Sequence, residues 1–587
     1  MTNIFKKILF VSMVAAMMMG CSESDNTIDE ADAADLVVYG KIYTSETNDL
    51  HAEAFAVKDG KYIYVGSKEG ASAYINKNKT KIVDYTDKGL VMPSCGNGHA
   101  HYLMGFGLNS IGANIGAQDD VDKFFKIVES AADKARANKS VAIMGIGWNY
   151  HIFVDNMPTR QQLDSICSDI PIYFADEEGH KGLVNTLALQ VAGIMREDGS
   201  VVEEKTKIRG GEVVMDSNKK PTGLLLEQAG TYVREKFDND NFYTVDVASK
   251  NIEGIEEMLL SEGYTMYLDG WSNYFFNDNF YKAAKQIDEE SGLHFMLGLN
   301  HEIESWMDVS SSLEKASATK EYASKHILPR WIKLFVDGTV EGGSGYCAKP
   351  YPDGHEGIVN WSEQELTKIT SEANAKGITM HAHTMGDMAV NLAINAYING
   401  GRDEMRNTIV HVRNVLPTDW QRMADHNISS TVGILWHHYH VFGPLLLKYY
   451  GLVPEGYEEM SYPMKSYFDY GINMTSHTDY PALSESPDDP FGIMEIAVTG
   501  IMARDRELPW WTAELITREQ ALQVLTINCA KQMFIENERG SIKVGKYADF
   551  LLVDKDVLTC LTETIHEAKP AATYFEGKKV YGTDFEK

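Results

Sequence analysis

Hydrophobic and polar residues alternate at both ends of the chain, as they do in half-buried β-strands. Two alternating segments lie near the N-terminus and two near the C-terminus, and turn-forming residues separate the first two. The four segments are 35–40, 61–66, 542–553 and 572–581. We therefore predict that residues 36–88 and 537–587 together form a small β-sandwich domain.

Between these ends, short apolar runs alternate with segments of helical periodicity, which is typical of βα units. In one unit, Ser362 and Glu365 match a capping box, Gly377 ends the helix, and an apolar run follows directly. Eight apolar runs have this character. They are Leu90–Pro93, Tyr264–Leu268, His294–Leu299, Trp331–Val336, Ile378–His381, Thr408–His411, Ile428–Val432 and Ile472–Ser476.

Eight strands with intervening helices predict an α/β fold containing a (β/α)8 barrel of the TIM type over residues 89–536. Residues 120–250 carry apolar runs of their own, at 141–146 and 172–174. We therefore predict that this segment is an insertion after the first barrel strand.

The N-terminus resembles a lipoprotein export signal. Lys6 and Lys7 precede the apolar run Ile8–Met19, which ends at Gly20 and Cys21. Because this run is too short to span a bilayer, we predict that residues 1–20 are a signal peptide and that Cys21 carries a lipid. The alternative is an ordinary signal peptide with an incidental cysteine.

The polar, acidic segment that follows is predicted to tether the protein to the membrane, over residues 21–35. We therefore expect an exported lipoprotein on the periplasmic or extracellular face of a bacterial cell envelope, with a lipid anchor as its only membrane contact. The other five cysteines show no Cys-x-x-Cys spacing, which argues against a disulfide framework or a thiolate metal site.

Composition narrows the function classes. The 587 residues are 44% hydrophobic and 24% charged, a balance that excludes disorder, collagen and coiled coil. The formal net charge is −30, so the surface repels phosphate backbones and nucleic acid is an unfavourable partner.

Candidate chemistry lies where the predicted barrel strands end, which is where the active sites of such barrels are built. His99 and His101 follow the first run at a spacing of two, so both imidazoles face the same way and can chelate one cation. Polar residues also occur on or directly after four further runs. These are Lys333, His383, His411 and Asp479.

These residues lie within longer motifs that resemble the amidohydrolase superfamily, in the branch called amidohydrolase family 3 or YtcJ-like. The resemblance covers nearly all of residues 35–587. The matching stretches are 92–101, 147–148, 179–180, 184–185, 188–189, 332–338, 383–387, 409–411, 478–481, 540–542 and 545–549.

The resemblance implies a site for one or two divalent ions, usually zinc, that activates a water to hydrolyse a non-peptide, amide-like C–N bond of a small molecule. His99 and His101 would bind the first ion and His383 and His411 the second. Lys333, converted to a carbamate, would bridge the two ions. Asp479 would bind metal and accept the proton of the attacking water.

Two positions depart from the family pattern, because Ser94 follows the Pro of the first motif and Asn97 stands where an Asp is common. The motifs select His383 over His381 as the ligand, which leaves His381 as a deeper or supporting residue. Candidate substrate-binding residues are Trp148, His180, Asp337 and Trp436. For Trp148 the alternative is a purely structural role in the core.

Several alternatives stay open at this stage. Lys333 could instead pair with an interior acid, Asp337 or Asp479. The same site could act on an ester, lactam or carbamate, or without hydrolysis, since fold and metal ligands do not fix the substrate. A catalytically silent binding lipoprotein is a further alternative. The oligomeric state is open, with a homodimer as one option.

Overall fold

The computed structural model of the chain describes residues 28–48, 50–115, 120–149, 152–153, 157–176, 179–437, 451, 453–457, 461–481, 489–501 and 514–585. Its strands, in chain order, are β1 Leu36–Tyr43, β2 His51–Lys58, β3 Lys61–Gly66, β4 Lys81–Asp84, β5 Leu90–Pro93, β6 Cys95–Ala100, β7 Ala113–Asn114, β8 Ile143–Trp148, β9 Ile172–Asp176, β10 Lys181–Val184, β11 Gly211–Met215, β12 Pro221–Glu227, β13 Tyr264–Asp269, β14 Met296–Glu302, β15 Ile327–Phe335, β16 Thr379–His383, β17 Thr408–His411, β18 Ser429–Val432, β19 Met474–Ser476, β20 Phe550–Val553, β21 Pro570–Phe575 and β22 Lys578–Gly582.

The described α-helices are α1 Lys68–Ser72, α2 Tyr102–Ile111, α3 Val121–Asn138, α4 Arg160–Ile166, α5 Thr186–Val191, α6 Gln228–Glu235, α7 Asn239–Phe242, α8 Val245–Ser261, α9 Asn279–Glu290, α10 Val309–Ala318, α11 Glu363–Ala375, α12 Asp387–Gly400, α13 Trp420–Asp425, α14 Met464–Tyr470, α15 Pro490–Thr499, α16 Arg518–Leu525 and α17 Ile527–Gln532. None of them is long and apolar enough to cross a membrane.

Eight parallel strands form the central sheet, in the order β6-β13-β14-β15-β16-β17-β18-β19. The N–H of Asp479, just beyond β19, donates to the carbonyl of His99 in β6 at 3.3 Å, which joins the two edges of this sheet. The sheet is therefore a nearly closed barrel, and the predicted mixed α/β fold is confirmed.

The prediction that Leu90–Pro93 is the first barrel strand is wrong, because the first barrel strand is the next one along the chain, β6. Leu90–Pro93 pairs with β20 in the sheet of the chain termini, whereas Cys95–Ala100 pairs with β13 in the barrel. The apolar run at residues 90–93 is buried, as a barrel strand would be, so hydrophobicity alone does not separate the two cases. The terminal unit therefore extends beyond its predicted limit at residue 88.

Strands from both termini pair in one sheet, in the order β22-β21-β20-β5-β1-β2-β3, with β4 on β1. Phe55, Phe550 and Tyr574 pack at its centre, with ring centroids 4.9 Å apart for the first pair and 4.3 Å for the second. Hydrogen-bonded pairing defines a single sheet here, so the two-sheet sandwich remains a prediction.

The last residues of the segment predicted as a tether pack on the terminal sheet. Ala33 and Ala34 are fully buried, the N–H of Ala34 donates to the carbonyl of Tyr74 at 2.9 Å, and the Thr80 hydroxyl donates to the carbonyl of Ala34. Residues 33–35 therefore belong to the terminal unit. The predicted signal peptide and Cys21 lie outside the described residues.

The segment between β6 and β13 carries its own six-stranded sheet, in the order β11-β12-β10-β9-β8-β7. This sheet ends at Glu227 and leads into α6, so the insertion delivers Glu227, Gln228 and Arg234 to the mouth of the barrel. The insertion thus helps to build the site.

The helix predicted from the capping box is present as α11. The Ser362 hydroxyl accepts the N–H of Glu365 at 3.3 Å, and the Glu365 carboxylate accepts the N–H of Ser362 at 2.9 Å. Gly377 follows the helix with φ +71°, a conformation that glycine adopts without strain. The chain then enters β16, which carries two of the site's histidines.

Candidate active site

His99, His101 and Asp479 converge where β6 and β19 end. Nε2 of His99 lies 3.4 Å from Oδ1 of Asp479, and Nε2 of His101 lies 3.3 Å from the same oxygen. Asp479 has φ +53°, an unusual backbone conformation for a non-glycine residue that aims its carboxylate at the histidines. Two adjoining strand ends thus present three ligand atoms to one point.

Asn97 forms hydrogen bonds that hold the strand of His99 and the loop of Asp479 together. Its side-chain amide donates to the hydroxyl of Thr478 at 2.8 Å and to that of Tyr102 at 3.0 Å, while its oxygen accepts the N–H of His99. The residue where the family commonly has an Asp therefore ties the histidine strand to the loop that carries Asp479. Ser94, the other departure, shares a hydrogen bond with the hydroxyl of Thr265.

Lys333 lies on β15, fully buried at the centre of the barrel. Its Nζ is 3.2 Å from Nε2 of His99 and 3.5 Å from Nε2 of His411. Burial lowers the pKa of this amine to about 8, against the attraction of Glu302 and Asp479. A lysine with a depressed pKa has an uncharged fraction near neutral pH, which is the form that reacts with carbon dioxide.

His381, His383 and His411 project from the two neighbouring strands. Nε2 of His381 shares a hydrogen bond of 2.8 Å with Nδ1 of His99, which makes His381 a support for that ring. Nε2 of His383 lies 3.1 Å from the carbonyl of Gly338, and its ring is centred 4.6 Å from that of His411. Burial, reinforced by Lys333, holds the pKa of His383 well below its usual range, so this imidazole is neutral.

His477 completes the cluster and was missed in the sequence. Its ring is centred 4.8 Å from that of His411, and both ring nitrogens are buried without a hydrogen-bond partner among the described residues. The signal available was its spacing of two from Asp479, the same spacing that marked His99 and His101.

The donor set fits a divalent cation. One group of ligand atoms, from His99, His101 and Asp479, lies within 4.8 Å of one another, and so does a second group from His411, His477 and Asp479. Neutral imidazoles and a carboxylate are ligands that zinc prefers. Nδ1 of His101, Nδ1 of His411 and both nitrogens of His477 are buried, and none of them has a hydrogen-bond partner among the residues that the structure describes. His383 belongs to neither group, but its ring lies beside that of His411.

A cavity opens above the cluster, and His101, His383, His411 and Asp479 face it. Among the predicted substrate contacts, His180 and Trp436 line this cavity. The Trp436 ring stacks on that of His411 at a centroid distance of 5.8 Å.

His180 is anchored by Glu227, with 2.7 Å between Nδ1 and Oε2. Burial raises the pKa of Glu227, but the neighbouring His180 outweighs this effect and leaves that pKa below its ordinary value. An ionised Glu227 fixes the orientation of the His180 ring, which lies 6.0 Å from the ring of His383.

Two predicted substrate contacts lie elsewhere. The Trp148 ring is buried in the core of the insertion, where Nε1 donates to the carbonyl of Phe174 at 3.1 Å. Asp337 accepts the N–H groups of Tyr346, Met385 and Gly386, and burial raises its pKa to about 7. Neither residue lines the cavity, and both form hydrogen bonds with backbone groups of the surrounding structure.

The fold and this cluster define a hydrolase barrel with a metal-type ligand set, and comparison with known proteins identifies its family. The amidohydrolase family matches residues 87–581, so the chain belongs to that family and is a hydrolase of carbon–nitrogen bonds other than peptide bonds. The expected superfamily is confirmed.

Individual relatives are distant but matched over most of their length. The N-substituted formamide deformylase of Arthrobacter pascens is 25% identical over 92% of this chain and 97% of its own. The protein LONG AFTER FAR-RED 3 of Arabidopsis thaliana is 24% identical over 93% and 91%, respectively. The crystal structure of an uncharacterized metal-dependent hydrolase from Pyrococcus furiosus superposes with a TM-score of 0.66 at 20% identity, covering 89% of this chain and 100% of that one.

Proposed function

We propose that this protein hydrolyses the C–N bond of a small N-substituted amide, using one or two divalent ions, zinc in the first instance. One observation carries the proposal: ligand atoms of His99, His101 and Asp479 lie within 4.8 Å of one another beside a buried lysine, and His101 and Asp479 line a cavity. A divalent cation held there would polarise an amide carbonyl and acidify a nearby water.

Asp479 is the proposed proton acceptor. It lines the cavity, and neighbouring His411 and His101 hold its pKa well below its usual range despite burial, so it is ionised at neutral pH. A carboxylate at this position can accept the proton of a water that attacks the carbonyl, and can then return it to the departing amine.

Lys333 is proposed to be carboxylated. A bare ammonium at its position would repel a cation held by His99 and His411, and its burial would carry a desolvation penalty. A carbamate reverses the sign of the charge and supplies two oxygen ligands. Glu302, paired with Lys333 across β14 and β15, is the interior acid nearest in register.

The substrate class rests on the relative that acts on N-substituted formamides and on the aromatic lining of the cavity. Trp271, Tyr274 and Phe335 also line the cavity, which suits an N-substituent that is aromatic or apolar. Esters, lactams and carbamates are the competing substrates on the same site.

A hydrolysis panel tests this assignment. The zinc-loaded protein is supplied with N-benzylformamide, N-benzylacetamide, a lactam, a carbamate and an ester of matched shape, and release of amine or acid is measured. We expect the formamide to be cleaved with the highest kcat/KM. Cleavage of the ester alone would place the activity on a different bond, and no cleavage of any member would favour a binding protein.

We also propose that the protein is an exported lipoprotein held by Cys21. The support is the basic and apolar segment that ends at Gly20 and Cys21, followed by a polar stretch. Expressed in a bacterium, the full chain should fractionate with membranes, and the variant Cys21→Ser should be released from them. Unchanged membrane association of Cys21→Ser would contradict the lipid anchor.

A further inference from the structure

The wall of the cavity contains two polar side chains of opposite charge that the proposed reaction does not use. Glu304 and Arg234 both line the cavity and are each 1% exposed. Both carboxylate oxygens of Glu304, and Nε of Arg234, lack a hydrogen-bond partner among the described residues. Because an unpaired buried polar group is costly, such atoms at a cavity wall point to a ligand that pairs with them.

Surrounding groups hold these two side chains in place without satisfying them. Nη1 of Arg234 donates to the carbonyl of Tyr274 at 2.7 Å, and the guanidinium carbon lies 3.7 Å from the centroid of the Tyr274 ring. The hydroxyl of Thr231, which acts on the Glu304 carboxylate electrostatically, donates to the carbonyl of Gln228 at 3.0 Å. Arg234 is therefore held in place while its Nε stays available to a ligand.

An aromatic path connects the pair to the histidine cluster. The ring of His383 lies 4.6 Å from that of Phe335, which lies 6.3 Å from that of Trp271. The guanidinium of Arg234 in turn lies 4.7 Å from the Trp271 ring. A substrate with its amide at the histidines can run along these rings and end at Arg234 and Glu304.

We propose that Glu304 and Arg234 form a second subsite that recognises a primary carboxamide at the far end of the substrate's N-substituent. This inference deepens the proposed function and rests on it for the position of the scissile bond. The carboxamide N–H2 donates to Glu304 and its carbonyl accepts from Arg234. A neutral group fits best, since Arg234 opposes an ammonium and Glu304 opposes a carboxylate.

The electrostatics agree with this assignment. Burial raises the pKa of Glu304 to about 7, while the positive charge of Arg234 acts in the opposite direction. At about pH 8.5, Glu304 is therefore the carboxylate that accepts hydrogen bonds, and the binding assay is run there.

Binding is compared for 4-ethylbenzamide and 4-ethylacetophenone, which differ in an N–H2 or a methyl group on the same carbonyl. Calorimetry on the zinc-loaded protein should give at least tenfold tighter binding of the amide, because the ketone leaves Glu304 unpaired. The variant Glu304→Leu should bring the ratio of the two dissociation constants close to one, and Glu304→Gln should reduce it severalfold.

Glu262→Leu is the matched control, because Glu262 also has a buried carboxylate oxygen that no described residue pairs with, but it does not line the cavity. Its ratio should equal that of the wild type. Equal binding of amide and ketone by the wild type, or an unchanged ratio in Glu304→Leu, would overturn the subsite. If Glu304→Leu does not fold, the wild-type ratio and the Glu304→Gln variant decide.

The binding experiment tests the subsite independently of the proposed reaction, because binding requires no turnover. An amide preference in a protein that cleaves no formamide would keep the subsite and reject the proposed function. Cleavage of N-benzylformamide without any amide preference would reject the subsite alone.

Discussion

Nζ of Lys333 lies 3.2 Å from Nε2 of His99, inside a barrel where neither group reaches solvent. Two groups of this kind cannot both carry a positive charge at that distance without a large cost. The pKa of His99 is held well below its usual range, first by burial and then by Lys333. The His99 imidazole is therefore neutral, and burial also lowers the pKa of Lys333, to about 8.

The first prediction concerns that lysine. Lys333→Ala should lower kcat/KM by at least about a hundredfold, and short carboxylic acids should restore part of the activity by replacing the carbamate oxygens. Intact-mass measurement of the native wild type should show one added carbon dioxide. Lys368→Ala, on an exposed face of α11, is the control and should behave as the wild type.

Reconstitution of the metal-stripped protein also tests whether Lys333 is carboxylated. Metal-stripped protein reloaded in bicarbonate-free buffer should recover poorly, and added bicarbonate should restore it. Full recovery without bicarbonate, together with an unmodified lysine, would contradict the carbamate and favour a lysine paired with an interior acid.

The second prediction isolates the proton acceptor. Asp479→Asn keeps the shape of the side chain and removes its basicity, so turnover should fall by about two to four orders of magnitude. Circular dichroism should show a wild-type fold, and zinc supplied in excess should still bind through the histidines, although more weakly because Asp479 belongs to both ligand groups. Asp469→Asn, at an exposed position on α14, is the control. Wild-type turnover by a folded, metal-loaded Asp479→Asn would rule out this role.

The third prediction concerns His477, which lies beside His411 and whose two nitrogens have no hydrogen-bond partner in the described part of the chain. If His477 contributes to metal binding, His477→Ala should weaken zinc retention against a chelator by at least about tenfold. The matched variant His294→Ala removes a half-exposed histidine outside the site and should retain zinc normally. Identical zinc affinity in both variants would assign His477 a packing role.

The fourth prediction concerns stability away from the site. The buried carboxylate of Asp288 bonds His326 Nδ1 at 2.6 Å and accepts the N–H groups of Leu293 and His326 at 3.0 Å each. Despite the opposing effect of burial, the hydrogen bonds with His326 and Ser324 lower the pKa of Asp288, and those with Asp288 and Glu576 raise the pKa of His326. Asp288→Asn should therefore destabilise the fold by about 2 to 3 kcal/mol at pH 6.

The pH dependence has a defined sign. The contribution of Asp288 is complete above its unfolded pKa, about 4, and is lost as pH falls through its lower folded pKa. The contribution of His326 is complete below its unfolded pKa, about 6.5, and is lost as pH rises through its higher folded pKa. Urea unfolding should show the largest gap between wild type and Asp288→Asn between these limits. A gap independent of pH would contradict the ionised pair.

The sequence was most informative where a residue type that can bind metal stands at the end of a predicted strand. His411, for example, was placed correctly at the end of its strand, because a histidine directly follows the short apolar stretch Ile409 and Val410. Leu90–Pro93 was misplaced because a buried strand in a terminal sheet and a buried strand in a barrel have the same composition. Only long-range pairing separates them.

Polar residues inside hydrophobic surroundings were harder to assign. Trp148 looked equally suited to a cavity wall and to a core, and the packing of the insertion decided for the core. Glu304 escaped notice because it belongs to no motif, and only its burial beside Arg234 gives it significance. The burial of such residues cannot be predicted from the sequence, because the residues that surround them in the fold are far apart along the chain.

The most direct test of the whole account is a metal titration of turnover. Metal-stripped protein is titrated with zinc in the presence of bicarbonate, and formate and benzylamine released from N-benzylformamide are measured together. The account predicts no release without metal, a rise with bound zinc, and equal amounts of the two products. Release that is independent of metal, or zinc binding at the histidines with no release of either product, would contradict it.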